Sequence, residues 1–197
     1  MRQFVIVSHT ATTKPIFSLN DLPGEAGRMD ILCRCVGASF LISHSLRTEV
    51  RVYLVLQNKV TIRFEGTELR YVRPDERCIA ALIKKALQKA ENAVGHIELE
   101  STPGIYISKM GLNPLLNSIS LSGTVIHLHE NGISSQKSEL PLNPIFVLSD
   151  HHNFLPSEID ILNQYSQKTI NIGPMVIHTD HAITIVHNLL DIQNNHS

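Results

Sequence analysis

The sequence predicts an α/β fold built on a parallel sheet flanked by helices, and three observations carry that expectation. Residues 4–8 form a short β-branched run of buried-strand character. Two segments, 29–42 and 76–90, repeat apolar residues at helical spacing. The C-terminal third alternates strand, loop, helix, strand, loop, helix, the pattern of parallel strands joined by crossover helices.

Taken in order, the strand at 4–8 is followed by turn-forming Asn20-Asp21-Leu22-Pro23-Gly24. In the helix over 29–42, Ile31, Leu32, Cys35, Val36, Ser39 and Phe40 share a face, and Asp30 suits the positive end of the helix dipole. Strands follow at 51–56 and 60–64, with Gln57-Asn58-Lys59 able to turn between them as a hairpin. Arg73-Pro74-Asp75-Glu76 starts the next helix, whose stripe is Ile79, Leu82, Ile83, Ala86, Leu87 and Ala90. Thr102-Pro103-Gly104 is a turn, 111–119 a short helix, 124–128 a strand and the polar stretch 130–143 a loop. The closing alternation is strand 144–148, loop 149–153, helix 156–165, strand 168–172, loop 173–177 and helix 179–190.

Such sheets bind ligands in the loops after the carboxyl ends of their strands. Here those loops are Ser149-Asp150-His151-His152-Asn153 and Gly173-Pro174-Met175-Val176-Ile177. Gly173-Pro174 lets backbone approach a ligand and then fixes the chain direction. Exposed backbone groups between apolar walls suit a flat adenine ring, although an ordinary turn would carry the same residues. No phosphate-binding P-loop and no G-x-G-x-x-G is present.

Composition narrows the class. The 197 residues fit one domain, 43% are apolar, 18% are charged and the net charge is -1, so the chain is not a globally basic nucleic-acid binder. Arginines gathered on one face would still attract phosphate. Cys33, Cys35 and Cys78 make no disulfide framework and no zinc-finger spacing, and read as small residues of a reduced, intracellular protein. His127, His129, His151, His152, His178, His181 and His187 are numerous, but no cysteine or carboxylate cluster completes a site with them, so no metal is expected. With no signal-peptide pattern and no apolar run of about 18 residues, the expectation is a cytoplasmic protein with no membrane span.

A second group of polar residues lies upstream: Gly27-Arg28-Met29-Asp30, Arg34, and Ser43-His44-Ser45-Leu46-Arg47-Thr48-Glu49. Arginine bonds phosphate through its fork, and a nearby acid can orient a nucleobase or take its proton. A solvated helix face with local ion pairs is the alternative.

These residues together resemble the tRNA pseudouridine-54 N1-methyltransferase family of the SPOUT class. The resemblance covers nearly the whole chain. It includes Phe4-Val5-Ile6, Gly27-Arg28-Met29-Asp30, Ser43-His44, Tyr53-Leu54-Val55-Leu56, Arg63-Phe64, Ser149-Asp150-His151, Ile172-Gly173-Pro174 and His187-Asn188. It implies a single domain over 1–197, with a deep C-terminal trefoil knot in about 120–197, and a homodimer completing each site from both protomers. It implies an S-adenosyl-L-methionine pocket at Leu128, Leu148, Ser149, Asp150, Ile172, Gly173, Ile177, His178, Ala182 and Ile183. Substrate tRNA is implied at Arg28, Arg34, His44 and Arg47, and catalysis at Asp30, Glu49 and Arg47, with Asp30 or Glu49 the proton acceptor. The chain departs from the family pattern at Ala182, where many relatives carry cysteine, and at Leu189, where many carry glutamate. Methylation of rRNA pseudouridine, and a non-catalytic RNA- or cofactor-binding homologue, are the alternative functions.

Overall fold

The computed structural model describes residues 1–135 and 139–195. Its elements are β1 (Arg2–Ser8), α1 (Met29–Phe40), β2 (Val50–Leu56), β3 (Val60–Glu65), α2 (Glu76–Lys89), β4 (Leu99–Thr102), β5 (Ile105–Ser108), α3 (Leu112–Ile119), β6 (Thr124–Ser134), β7 (Pro144–Ser149), α4 (Pro156–Tyr165), β8 (Lys168–Asn171) and α5 (Thr179–Asn195). One sheet carries the strands in the order β4-β5-β3-β2-β1-β7-β6-β8.

The sheet is mixed, which corrects the expectation of a parallel one. β2, β1, β7, β6 and β8 run parallel, whereas β3, β5 and β4 pair antiparallel at one edge. The expected β2–β3 hairpin accounts for the first reversal. Its turn residues Gln57 and Asn58 both have positive φ, the conformation that matches hairpin twist. β4 and β5 were not expected. They are four residues each, too short for period-two alternation to register, and they flank the turn read at Thr102-Pro103-Gly104.

Side-chain alternation builds two cores. Phe4 and Ile6 of β1, Val52 and Leu54 of β2, and Phe146 and Leu148 of β7 face one way, packed with α1, α2 and α5. Val5 and Val7, Tyr53 and Val55, and Ile145 and Val147 face the other, packed with α3 and α4. The central strands are therefore buried on both faces, as parallel strands under crossover helices are. Cys33 and Cys35 lie fully buried in the first core, and burial pushes both thiols up.

β6 is the largest departure at the C-terminal end. The strand was expected to stop at 128 and a loop to follow. Instead it continues through Ser134, with Ile133 and Ser134 pairing Ile170 and Asn171 after a register break. Gly132 permits this, because a Cβ there would meet Ile170 backbone at 2.6 Å. Residues 136–138 of that expected loop lie outside the described residues.

Candidate active site

The parallel strands deliver the expected loops to one edge of the sheet. Val7 of β1 stands opposite Ser149 of β7, so Ser8 and Asp150 leave the sheet side by side. Asp150 is held from four directions. Its Oδ2 accepts from the Ser8 hydroxyl at 2.8 Å and the His9 amide at 3.0 Å. Its Oδ1 accepts from the His152 amide at 2.9 Å and faces His9 Nδ1 at 3.3 Å. Burial alone would raise the Asp150 carboxyl, but these donors hold it below the ordinary carboxylate range. Asp150 is thus a fixed, ionised brace of its loop.

The next loop is tied to the same brace. The Thr179 hydroxyl, at the start of α5, donates to the Ser149 carbonyl at 2.7 Å. The Ser149 hydroxyl in turn donates to the His152 carbonyl. Leu128, Ile172 and Ile177 are partly buried against the first core, while Met175 and Val176 are exposed. Gly173 is neither in a positive-φ conformation nor crowded: nothing lies within 4 Å of where its Cβ would be. His178 is exposed, and its carbonyl accepts from the Ala182 amide at 2.9 Å. Ala182 and Ile183 are buried in the core. The side chain at 182 therefore packs inward, towards the core.

The start of α1 joins this edge. Gly27 and Arg28 both have positive φ, and a Cβ on Gly27 would meet the Thr10 carbonyl oxygen at 2.0 Å. For arginine this backbone is unusual, and such positions recur at functional sites. The turn aims Arg28 at Asp30, where Nε and Nη2 reach the two carboxylate oxygens at 3.0 and 3.1 Å. Arg34 adds a contact to Asp30 at 3.2 Å and reaches Asp180 of α5 at 3.9 Å. Burial alone would raise Asp30, but the Arg28 hydrogen bonds and the charges of Arg28 and Arg34 lower it. Asp30 is an ionised acceptor whose two oxygens are both engaged.

Arg47, Glu49 and His44 lie elsewhere. α1 carries the chain about 15 Å away from Asp30 at about 1.5 Å per residue. Arg47 donates to Asp191 near the far end of α5 at 2.6 Å, and contacts Glu49 at 3.4 Å. Arg2, at the amino end of β1, shares Asp191 at 2.6 Å and reaches His187 Nδ1 at 3.1 Å. His44 is exposed in the turn between the bridged residues Leu41 and Leu46. Ala38, Leu41, Ile42, Arg47, Thr184, His187, Asn188 and Asp191 line a shallow cleft of about 300 Å³ there. Within one chain, the expected residues therefore divide between two edges of the sheet.

Sequence reasoning missed His9 and Glu158. His9 Nε2 lies 2.9 Å from Glu158 Oε2, and Glu158 is buried in the first turn of α4. The two are 149 positions apart, and the only local signals are a histidine directly after a buried strand and an acid three residues into the helix. Among the described residues no three His, Cys, Asp or Glu side chains are grouped as a metal site. Among them, too, no helix is long and apolar enough to cross a membrane.

Comparison with known proteins identifies the family. Residues 1–195 match a family described as "Putative SAM-dependent RNA methyltransferase". The tRNA (pseudouridine(54)-N(1))-methyltransferase of Haloferax volcanii is 50% identical over 191 residues, covering 97% of this chain and 96% of the relative. The protein of that name from Methanocella arvoryzae is 47% identical over 190 residues, covering 94% and 96%. The fold is shared with Archaeoglobus fulgidus Nep1, solved bound to S-adenosylhomocysteine, at a TM-score of 0.65 and 15% identity over 96% of this chain and 97% of that one. With a match that runs from the first residue to the end of α5, the chain belongs to this family of S-adenosylmethionine-dependent RNA methyltransferases.

Proposed function

We propose that the protein methylates N1 of pseudouridine at position 54 of tRNA, using S-adenosyl-L-methionine. The observation that carries the reading is the meeting of the β7–α4 loop, the start of α5 and the Arg28–Asp30 pair at one edge of the sheet. The residues of these two loops suit the methyl donor. Gly173 keeps open space that a side chain would fill, Leu128, Ile172 and Ile177 supply apolar walls, and ionised Asp150 braces the loop beside them. When bound, the donor supplies an electrophilic methyl group on a sulfonium.

The chain's own residues do the rest. N1–H of pseudouridine is weakly acidic and must lose its proton before N1 becomes nucleophilic. Asp30 is the proton acceptor at this edge, and it is freed for that role when Arg28 turns from it to an RNA phosphate. Arg34 then keeps the carboxylate oriented. The site works by holding N1 in line and by stabilising the developing charge on the base. The base must leave its loop to enter.

Arg47, Glu49 and His44 are the RNA-facing group of the other edge, and a homodimer brings that edge of one protomer to the Asp30 edge of its partner. The separation of the two groups within one chain supports that assembly. One domain over 1–197 and a C-terminal trefoil knot complete the reading. The Gln193 side chain donates to the Leu140 carbonyl at 2.8 Å and accepts the Leu140 N–H at 3.0 Å, pinning the β6–β7 connection against α5. The cytoplasm, where tRNA is processed, is the compartment this reading requires.

Incubation with labelled methyl donor and two pseudouridine-containing RNAs, a tRNA and an rRNA fragment, tests the substrate. Label is expected in the tRNA. Label confined to the rRNA fragment would move the substrate, and tight donor binding with label in neither would make the protein a non-catalytic homologue.

A further inference from the structure

His9 is placed as no surface histidine needs to be. Both ring nitrogens face carboxylate oxygens, Nδ1 at 3.3 Å from Asp150 Oδ1 and Nε2 at 2.9 Å from Glu158 Oε2. A neutral imidazole has one donor and one acceptor, so it satisfies only one of these carboxylates; an imidazolium satisfies both. The side chains of Asp150 and Glu158 are only 2% and 5% exposed, so neither charge is screened well by water. Glu158 has a second duty: its Oε2 accepts the Leu155 amide at 2.8 Å and so caps α4. The ring therefore joins the end of β1, the β7–α4 loop and the first turn of α4.

We propose that His9, bridging Asp150 and Glu158, is a positioning residue that sets the β7–α4 loop in the shape that receives the methyl donor. The proposal rests on the functional reading above and adds to it a residue pair outside the expected site. The groups facing His9 are Ser8 at the end of β1, Asp150 and His152 from the β7–α4 loop, and Glu158 from α4. From α1, the charge of Arg28 reaches Asp150. Burial lowers the His9 pKa, but the Glu158 and Asp150 hydrogen bonds and charges outweigh it, and the net shift is upward. The bridged form is thus present below the raised value and lost as pH rises through it. Above it, one carboxylate loses its donor and the bridge between the β7–α4 loop and α4 opens.

The test measures S-adenosylhomocysteine affinity by calorimetry across pH, alongside the NMR titration of the His9 ring in the ligand-free protein. In the wild type the ring is expected to titrate above the ordinary value of about 6.5, and affinity to fall through the same midpoint. His9→Gln is expected to bind about tenfold more weakly and to lose that pH dependence. Glu158→Gln keeps an acceptor for the Leu155 amide, so α4 retains its cap, and the midpoint is expected to move down in both measurements. In turnover, KM for the methyl donor is expected to rise while KM for tRNA stays unchanged. A ring that titrates at or below the ordinary value, or variants whose affinity and pH profile match the wild type, would overturn the proposal while leaving the methyltransferase reading intact. A wild type that binds no S-adenosylhomocysteine at any pH would overturn both.

Discussion

The Thr179 hydroxyl and the Ser149 carbonyl, 2.7 Å apart, tie the first residue of α5 to the last residue of β7. The two loops proposed to receive the methyl donor are thereby one unit. Thr179→Val keeps the shape and removes the donor. It is expected to weaken S-adenosylhomocysteine binding about fivefold, the worth of one neutral hydrogen bond, with a folded protein by circular dichroism. Unchanged affinity would mean that the loops hold their places independently.

Gly173 separates stability from binding. Its backbone suits any residue and its Cβ position is open, so Gly173→Ala is expected to leave thermal stability unchanged or raised by about 0.5 kcal/mol. Affinity for S-adenosylhomocysteine is expected to drop by about tenfold or more, because the methyl enters the space kept for the ligand. A loss of stability with intact affinity would place the ligand elsewhere.

The division of the expected residues between two edges has a consequence for assembly. If Asp30 of one protomer and Arg47 of its partner serve the same site, Asp30→Asn and Arg47→Ala are each inactive alone but rescue one another when mixed. Half the dimers would be mixed, each with one intact site, so about a quarter of wild-type activity is expected after subunit exchange. If both residues serve a site in the same protomer, the mixture stays inactive.

Asp191 gives the acid limb of stability. Burial would raise its pKa, but hydrogen bonds and charges from Arg47 and Arg2 depress it. Its contribution is therefore full above the unfolded value of about 3.9 and is lost as pH falls through the lower folded value. Asp191→Asn is expected to cost about 1 kcal/mol in urea unfolding near pH 7, a modest figure because the carboxylate is one-third exposed. The difference is expected to shrink towards about pH 3. An equal cost at both values would mean that the arginines do not act through the carboxylate's charge.

How far this was legible in the sequence follows from range. α2 announced itself through Asp75, whose side chain accepts from the Arg77 and Cys78 amides as an N-cap should. The β2–β3 hairpin and α4 were likewise written in local chemistry. β4 and β5 were not, because four-residue edge strands carry too few side chains to show a period. The extension of β6 through Asn131 and Gly132 was hidden by polar residues and a glycine that serves close approach to β8. The loops after β7 and β8 could be placed because strand, loop and helix alternate there, the pattern of parallel strands with crossover helices. The separation of Asp30 from Arg47 could not be read, since proximity in sequence says nothing of which edge a helix delivers each residue to. His9 and Glu158 meet only through the sheet's register.

The central claim is methyl transfer to N1 of pseudouridine, and one measurement bears on it most directly. Two otherwise identical tRNA transcripts, one carrying pseudouridine and the other uridine at position 54, are incubated with labelled S-adenosyl-L-methionine and the labelled base is located by mass spectrometry. The account predicts one methyl group on N1 of pseudouridine 54 and none on the uridine transcript. Equal labelling of both transcripts, or label at any other base, would contradict it.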